Sequence, residues 1–224
     1  WVYEGIARTQ SDLDNHATQQ GANVGDCLYK DISGPNGEPD GVIDAYDQTV
    51  LGSGLAKMNF GLSAHMEYKG FDLSISTYGA LNYHVTDDIY NSLNSCYGWS
   101  NKDVAMADAN RFSEDGSTYL SNVPRTYVDN KATLAWNDLF SSRKIQNAAY
   151  WKIANVELGY NFPDRWFKGL VTGVRAYISA QNLYTFTGYK GYNVDYAGGT
   201  FTPGYNFCSF PSARSFMAGL HFTF

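Results

Sequence analysis

A strict two-residue alternation running through a hairpin constrains this chain more than any other feature. Over 58–68, Met58, Phe60, Leu62, Ala64, Met66 and Tyr68 share one face, and Asn59, Gly61, Ser63, His65 and Glu67 share the other. From Phe71 the pattern resumes, with Phe71, Leu73 and Ile75 set against Asp72, Ser74 and Ser76. Only Lys69 and Gly70 separate the two runs, a two-residue turn in which the glycine supplies a positive φ. That turn places Tyr68 opposite Phe71, so the two apolar faces coincide. A period of two cannot gather these residues on one side of a helix, and the stretch predicts antiparallel strands.

Three more runs repeat the pattern. In 154–162, Ala154, Val156, Leu158, Tyr160 and Phe162 oppose Asn155, Glu157, Gly159 and Asn161. In 174–182, Val174, Ala176, Ile178 and Ala180 oppose Arg175, Tyr177, Ser179 and Gln181. In 214–224, Phe216, Ala218, Leu220, Phe222 and Phe224 oppose Met217, Gly219, His221 and Thr223. A weaker run at Val2, Glu4 and Ile6 reads as a sixth strand. Helical signals are confined to a capped turn at 11–16 and one amphipathic turn at 164–170.

The connections are informative too. In chain order they are long (9–57), two residues, long (81–146), short (163–172) and long (187–212). The two ends of a soluble sandwich are equivalent, so nothing would sort its loops in this way. An outer-membrane barrel does sort them, with short periplasmic turns and long extracellular loops. The fold class read here is therefore all-β: an antiparallel transmembrane β-barrel segment of about six strands, its apolar faces on lipid and its polar faces on a wet lumen. Tyr and Phe cluster near strand ends, as interfacial girdles require.

Composition narrows the alternatives. Hydrophobic residues make up 44%, aromatics 16% and charged residues only 17%, which excludes a disordered chain. A net charge of −6 argues against a nucleic-acid binder. No apolar run approaches the length of a membrane-spanning helix, which leaves a membrane β-barrel open. Cys27, Cys96 and Cys208 fit no zinc or disulfide spacing and allow at most one bridge. The chain starts at Trp1 without a leader pattern, which reads as a removed signal or a piece of something longer.

Three groups of residues could carry chemistry. Asn36, Glu38, Asp40, Gly41, Ile43, Asp44 and Asp47 stand at positions 1, 3, 5, 6, 8, 9 and 12 of an EF-hand-type loop, a spacing that converges oxygens on Ca²⁺. The same stretch, with Asn at the first position and Pro39 stiffening the middle, also reads as a solvated Gly/Pro-rich turn. The 81–146 loop holds nine aromatics and is too long to be structureless. Tyr97, Trp99 and Trp136 are its candidates for stacking on a sugar ring or a partner, the others packing the loop against itself. On the lumen side stand His65, Glu67, Glu157, Arg175 and Gln181, with Glu157 and Arg175 placed to pair across a short turn. No nucleophile elbow, zinc-protease helix or phosphate loop is present, so the chain does not read as an enzyme.

Several separate stretches then resemble one family. They are Gly25-Asp26, Tyr29-Lys30-Asp31, Asn36-Gly37, Asp40-Gly41-Val42-Ile43-Asp44 with Asp47 and Gly52, Tyr68-Lys69-Gly70-Phe71-Asp72-Leu73 and Asp88-Ile89-Tyr90-Asn91. Further along come Pro124-Arg125, Ser141-Ser142-Arg143, Leu158-Gly159-Tyr160, Gln181-Asn182-Leu183-Tyr184-Thr185-Phe186-Thr187 with Tyr189 and Gly191, and Pro211-Ser212-Ala213-Arg214 with a final Phe224. In this order and spacing they resemble the C-terminal part of the SusC/RagA family of TonB-dependent outer-membrane transporters. The chain departs from the family pattern at the inserted Gly34-Pro35 and Glu38-Pro39 and at Asn193-Val194-Asp195.

The resemblance implies residues 1–224 as the last strands of a 22-stranded plugged barrel whose plug and earlier strands lie elsewhere, with 81–146 and 187–212 as extracellular loops. It implies import of oligosaccharides or peptides, a SusD-like lipoprotein partner, energy through TonB, an outer-membrane setting with a periplasmic C-terminus, and Phe224 as an insertion signal. No cofactor is required, and Ca²⁺ in the acidic loop is a candidate ligand. The competing expectation is a secreted Ca²⁺-dependent carbohydrate-binding β-sandwich, which the acidic loop and the Tyr/Trp-rich loops would also suit.

Overall fold

The computed structural model describes residues 1–96, 101–126, 136–167, 172–195, 199 and 201–223. Its strands are β1 (Tyr3–Ile6), β2 (Cys27–Tyr29), β3 (Met58–Tyr68), β4 (Phe71–Leu81), β5 (His84–Asp87), β6 (Ile145–Asn147), β7 (Tyr150–Phe162), β8 (Gly173–Thr187), β9 (Tyr205–Asn206) and β10 (Ser215–Thr223). Helices are short, the longest α-helical stretch being Asp88–Leu93. The chain divides into two compact units: residues 1–52, 86–146 and 205–208, and residues 53–85, 147–204 and 209–224.

The second unit is built on one antiparallel sheet in the order β10-β8-β7-β4-β3. The turn at Lys69-Gly70 has positive φ at both residues, 49° and 88°, the backbone that matches strand twist in a two-residue hairpin. It sets Tyr68 opposite Phe71. From there the ladder carries one apolar row across the sheet, Tyr68, Phe71, Tyr160, Ala176 and Leu220, and the next, Met66, Leu73, Leu158, Ile178 and Ala218. The five alternating runs thus present their apolar residues on a single face.

That face is open. Leu62 is 65% exposed, Leu220 63% and Phe216 70%. A sandwich would bury these side chains as its core, so this geometry removes the β-sandwich alternative. Two aromatic bands bound the face. Phe71 and Tyr160 pack at 4.6 Å and Tyr160 and Phe162 at 5.0 Å near one edge; Trp151 stacks on Phe186 at 5.4 Å, with Tyr184 at 4.7 Å from Phe186, near the other. From Trp151 to Tyr160 a strand rises roughly 30 Å, or about 22 Å across the membrane at barrel tilt, close to the height of an outer-membrane apolar band.

Two expectations need correction. The first strand, Tyr3–Ile6, does not join this sheet; it pairs with β2 in the other unit, so among the described residues the sheet holds five strands and not six. The third strand starts at Tyr150 and not at Ala154, because a bulge at Ala154 breaks the alternation: Ser76 pairs with Asn155, but Thr77 with Ile153. The extra residue turns Ile153 and Trp151 to the apolar face and Lys152 to the polar one. Among the described residues β3 and β10 each have one neighbour, and an unpaired edge in hydrocarbon is costly, so a spanning sheet of this kind needs further strands.

The first unit is a packed structure in its own right. Its core is Cys27, Tyr29 and Ile43, with Trp1, Tyr3, Ala17, Trp136 and Leu139 against it. Within it β5 and β9 pair in parallel at Thr86↔Tyr205 and Asp87↔Asn206.

Candidate functional site

On the polar face of the sheet, the alternation brings together three charged residues from three adjacent strands. The Arg175 guanidinium on β8 donates through Nη2 to Asp72 Oδ1 on β4 and to Glu157 Oε1 on β7 (2.7 Å), and through Nε to Asp72 Oδ2 (3.1 Å). Asn161 Nδ2 adds a bond to the same carboxylate at 3.2 Å. Asp72 is buried although it lies on the sheet's outer surface, because Arg175 folds over it. The fold-over needs Gly159: a Cβ there would meet both the guanidinium and the Asp72 carboxylate. The Arg175 guanidinium also sits 5.3 Å from the centre of the Tyr177 ring, and the hydroxyl end of that ring fills the space a Cβ on Gly219 would need. His65 bonds Ser74 Oγ at 2.8 Å and Glu67 at 3.0 Å, and Gln181 stands on the same face opposite Asn155 and Ser215. The cluster carries two carboxylates on one guanidinium, so the wall is negative there.

Nearer the other edge, the segment after β8 folds back over the same face. Asp195 Oδ2 accepts from Lys152 Nζ at 2.7 Å and from the Tyr78 hydroxyl at 2.7 Å. Lys152 is buried, and beside it Tyr83, Val85, Ala148, Tyr189 and Val194 form an apolar cluster. Burial raises the Asp195 carboxyl's pKa, but the bonds from Lys152 and Tyr78 outweigh it and hold the group below the usual carboxylate range. Burial pushes the Tyr83 hydroxyl up to about 12.

Because the folded-state value of Asp195 is depressed, its contribution is present above the ordinary carboxylate range and is lost as pH falls through the folded value. The hydrogen-exchange protection factors at Tyr189–Val194, taken relative to the unstructured rate at each pH, are therefore expected to stay flat between about pH 5 and 8 and to fall only below the ordinary carboxylate value of about 4. Protection factors that fall near neutrality would contradict this account.

In the first unit, the acidic loop uses its carboxylates on its own backbone. Asp47 is buried and accepts from the amides of Ile32 (2.8 Å), Ser33 (3.2 Å) and Asp44 (2.8 Å). Desolvation raises its pKa, yet those amides together keep it below the usual range. Asp44 caps the turn that follows, and Asp40 accepts from Val42 N. Asn36 and Glu38 are exposed. Among the described residues no group of three or more His, Cys, Asp or Glu side chains comes together that could hold a metal ion. The carboxylates of Asp40, Asp44 and Asp47 are instead engaged with backbone amides of the same stretch.

Trp136 is half-buried, packs on Tyr29 at 6.1 Å and donates to Gln20 O, and so helps to build the core of its unit. Tyr97, Trp99 and Phe224 lie outside the described residues. Cys27, Cys96 and Cys208 are all free, and burial pushes the thiols of Cys27 and Cys96 up to about 12 and about 11, which keeps them inert.

Sequence reasoning assigned no role to the tightest node of this unit. The fully buried Asp26 accepts from Arg125 Nε (2.5 Å) and Nη2 (3.0 Å), from Asn137 Nδ2 (2.8 Å) and from Asn23 N (2.8 Å). Asn137 Oδ1 in turn takes Cys27 N at 2.7 Å. Gly25-Asp26 and Pro124-Arg125 were visible as two separate motifs, about a hundred residues apart. Nothing in the sequence marked Asn137.

No family model matches the chain. Among curated proteins it is 28% identical over 234 residues to TonB-dependent receptor P3 of Formosa agariphila, covering 100% of this chain and 22% of that protein. It is 28% identical over 211 residues to TonB-dependent receptor SusC of Bacteroides thetaiotaomicron, covering 88% of this chain and 19% of that protein. Among solved structures it superposes on the RagAB peptide transporter with a TM-score of 0.71, at 20% identity over 98% of this chain and 22% of that one. The open-open state of the RagAB peptide importer gives a TM-score of 0.67 at 21% identity, over 100% of this chain and 22% of that one. The chain spans about a fifth of the length of the relatives it matches.

Proposed function

We propose that this chain, a homologue of the TonB-dependent receptors of the SusC kind, forms part of the membrane wall and extracellular loops of an outer-membrane nutrient importer. The observation that carries the reading is the joint one: homology to these receptors over 88–100% of the chain, laid on a sheet with one open apolar face and one charged face. An isolated five-stranded wall cannot enclose a path, so the activity belongs to a longer protein that supplies the remaining strands and a plug. In that protein the Asp72–Arg175–Glu157 cluster faces the lumen. The solute is an oligosaccharide or a peptide, the second because the RagAB structures are of a peptide transporter. Energy comes through TonB, and a SusD-like lipoprotein serves as the extracellular partner.

The reading fixes a topology that can be measured in the full-length protein. An epitope inserted at Gly37 is expected to be reached by antibody on intact cells. One inserted in the Lys69-Gly70 turn is expected to be reached only after the outer membrane is permeabilised. Deletion of the gene is expected to abolish growth on one class of oligosaccharide or peptide. The reverse labelling pattern, or recovery of the protein from the soluble fraction, would remove the barrel reading.

A further inference from the structure

Where the segment after β8 folds over the polar face, it leaves a cavity of about 310 Å³. Lys152 and Thr185 from the strands, Tyr189, Tyr192 and Asn193 from the loop, and Arg214 just ahead of β10 line it. Among the described residues no aspartate or glutamate lines the cavity, in a chain whose net charge is −6. Of its two cations, Lys152 is buried and already neutralised by Asp195 at 2.7 Å. Arg214 is different: it is exposed and, among the described residues, makes no hydrogen bond or ion pair. Beside it Tyr192 is 64% exposed, a flat ring at the same opening.

We propose that this cavity binds a carboxylate-bearing unit of the solute, with the carboxylate on the Arg214 guanidinium and the body of the unit against Tyr192. A guanidinium presents a planar fork that matches a carboxylate with two parallel bonds, and the low-dielectric wall behind it strengthens them. The volume lies at the small end of ligand sites and takes one sugar ring or one amino-acid side chain rather than a whole oligomer. The proposal rests on the import reading and deepens it. Its chemistry is common to a uronate in a glycan and an acidic residue in a peptide, and the experiment separates these two sources.

The full-length transporter in detergent is titrated calorimetrically with oligogalacturonate and with a glutamate-containing peptide, each beside its methyl ester. One acid is expected to bind at least about tenfold more tightly than its ester, with that preference falling as salt rises. Whichever pair responds identifies the source. R214Q is expected to bring the acid down to the level of the ester, and R214K to retain part of the preference, since a point charge lacks the fork. Among the described residues Arg214 makes no bond that its replacement would break, and heat-modifiable mobility in gels verifies that each variant is folded. Equal binding of acid and ester in both pairs, or a preference that survives in R214Q, overturns the proposal. Because binding is read without transport, a protein that prefers the acid but imports nothing overturns the import reading and leaves this site standing. One that imports neutral solute and shows no acid preference does the opposite.

Discussion

Replacing Asp26 by asparagine is expected to destabilise the loop unit of residues 1–52 and 86–146 by about 3 kcal/mol or more, the largest effect of any single change in this chain. The carboxylate is fully buried and takes four donors at once, two from Arg125 and one each from Asn137 and Asn23. An amide of the same shape removes the charge and turns one acceptor into a donor facing donors. Arg125 is 24% exposed, so water relieves part of its loss; Asn137 is buried and gains no such relief. In the full-length protein in outer-membrane vesicles, D26N should make this unit rapidly cleavable by protease while the barrel keeps its heat-modifiable mobility. Cleavage at the wild-type rate would show that the node does not hold the loops together.

Arg175→Met is expected to cost the membrane wall about 2–3 kcal/mol, somewhat less because Arg175 is 28% exposed and its partners are partly hydrated. The methionine keeps most of the apolar stem but leaves Asp72 and Glu157 as two facing carboxylates with no cation between them. The readout is the temperature at which the folded band converts to the unfolded one in gels, which should drop by several degrees. A triple variant, R175M with Asp72→Asn and Glu157→Gln, removes the repulsion and should recover most of the loss. If the triple variant is no better than R175M alone, the charge-repulsion account fails and loss of the guanidinium's contact with the Tyr177 ring is the cause.

How much of this was legible in advance can be judged from particular residues. Tyr68 and Phe71 could be paired from the sequence because a two-residue turn leaves one register, and every pair of the β3–β4 hairpin follows from it. Arg175 and Glu157 could be placed together for the same reason: a short connection, one face, and side chains long enough to meet. Asp72 was visible on the same face, but its capture by Arg175 depends on the space over Gly159, which no spacing rule reports. Lys152 could not be placed by parity, since a single inserted residue at Ala154 inverts the face of everything before it. The acidic loop stayed open to two readings because alternating carboxylates serve a metal and a set of backbone amides with the same spacing.

By itself, then, the sequence determined the two-faced strands, the register of the one tight hairpin and the sorting of long from short connections, because strand period and turn length are local properties that neighbouring residues settle between them. Only the tertiary structure decided which partners the long connections choose. It took Tyr3–Ile6 out of the sheet, drew Trp136 into a core, gave Asp47 to three amides and brought Asp26, Arg125 and Asn137 to one point. Those choices compare bonds between residues up to about a hundred positions apart, and their free energies depend on burial and on competing donors that exist only once the chain has closed on itself.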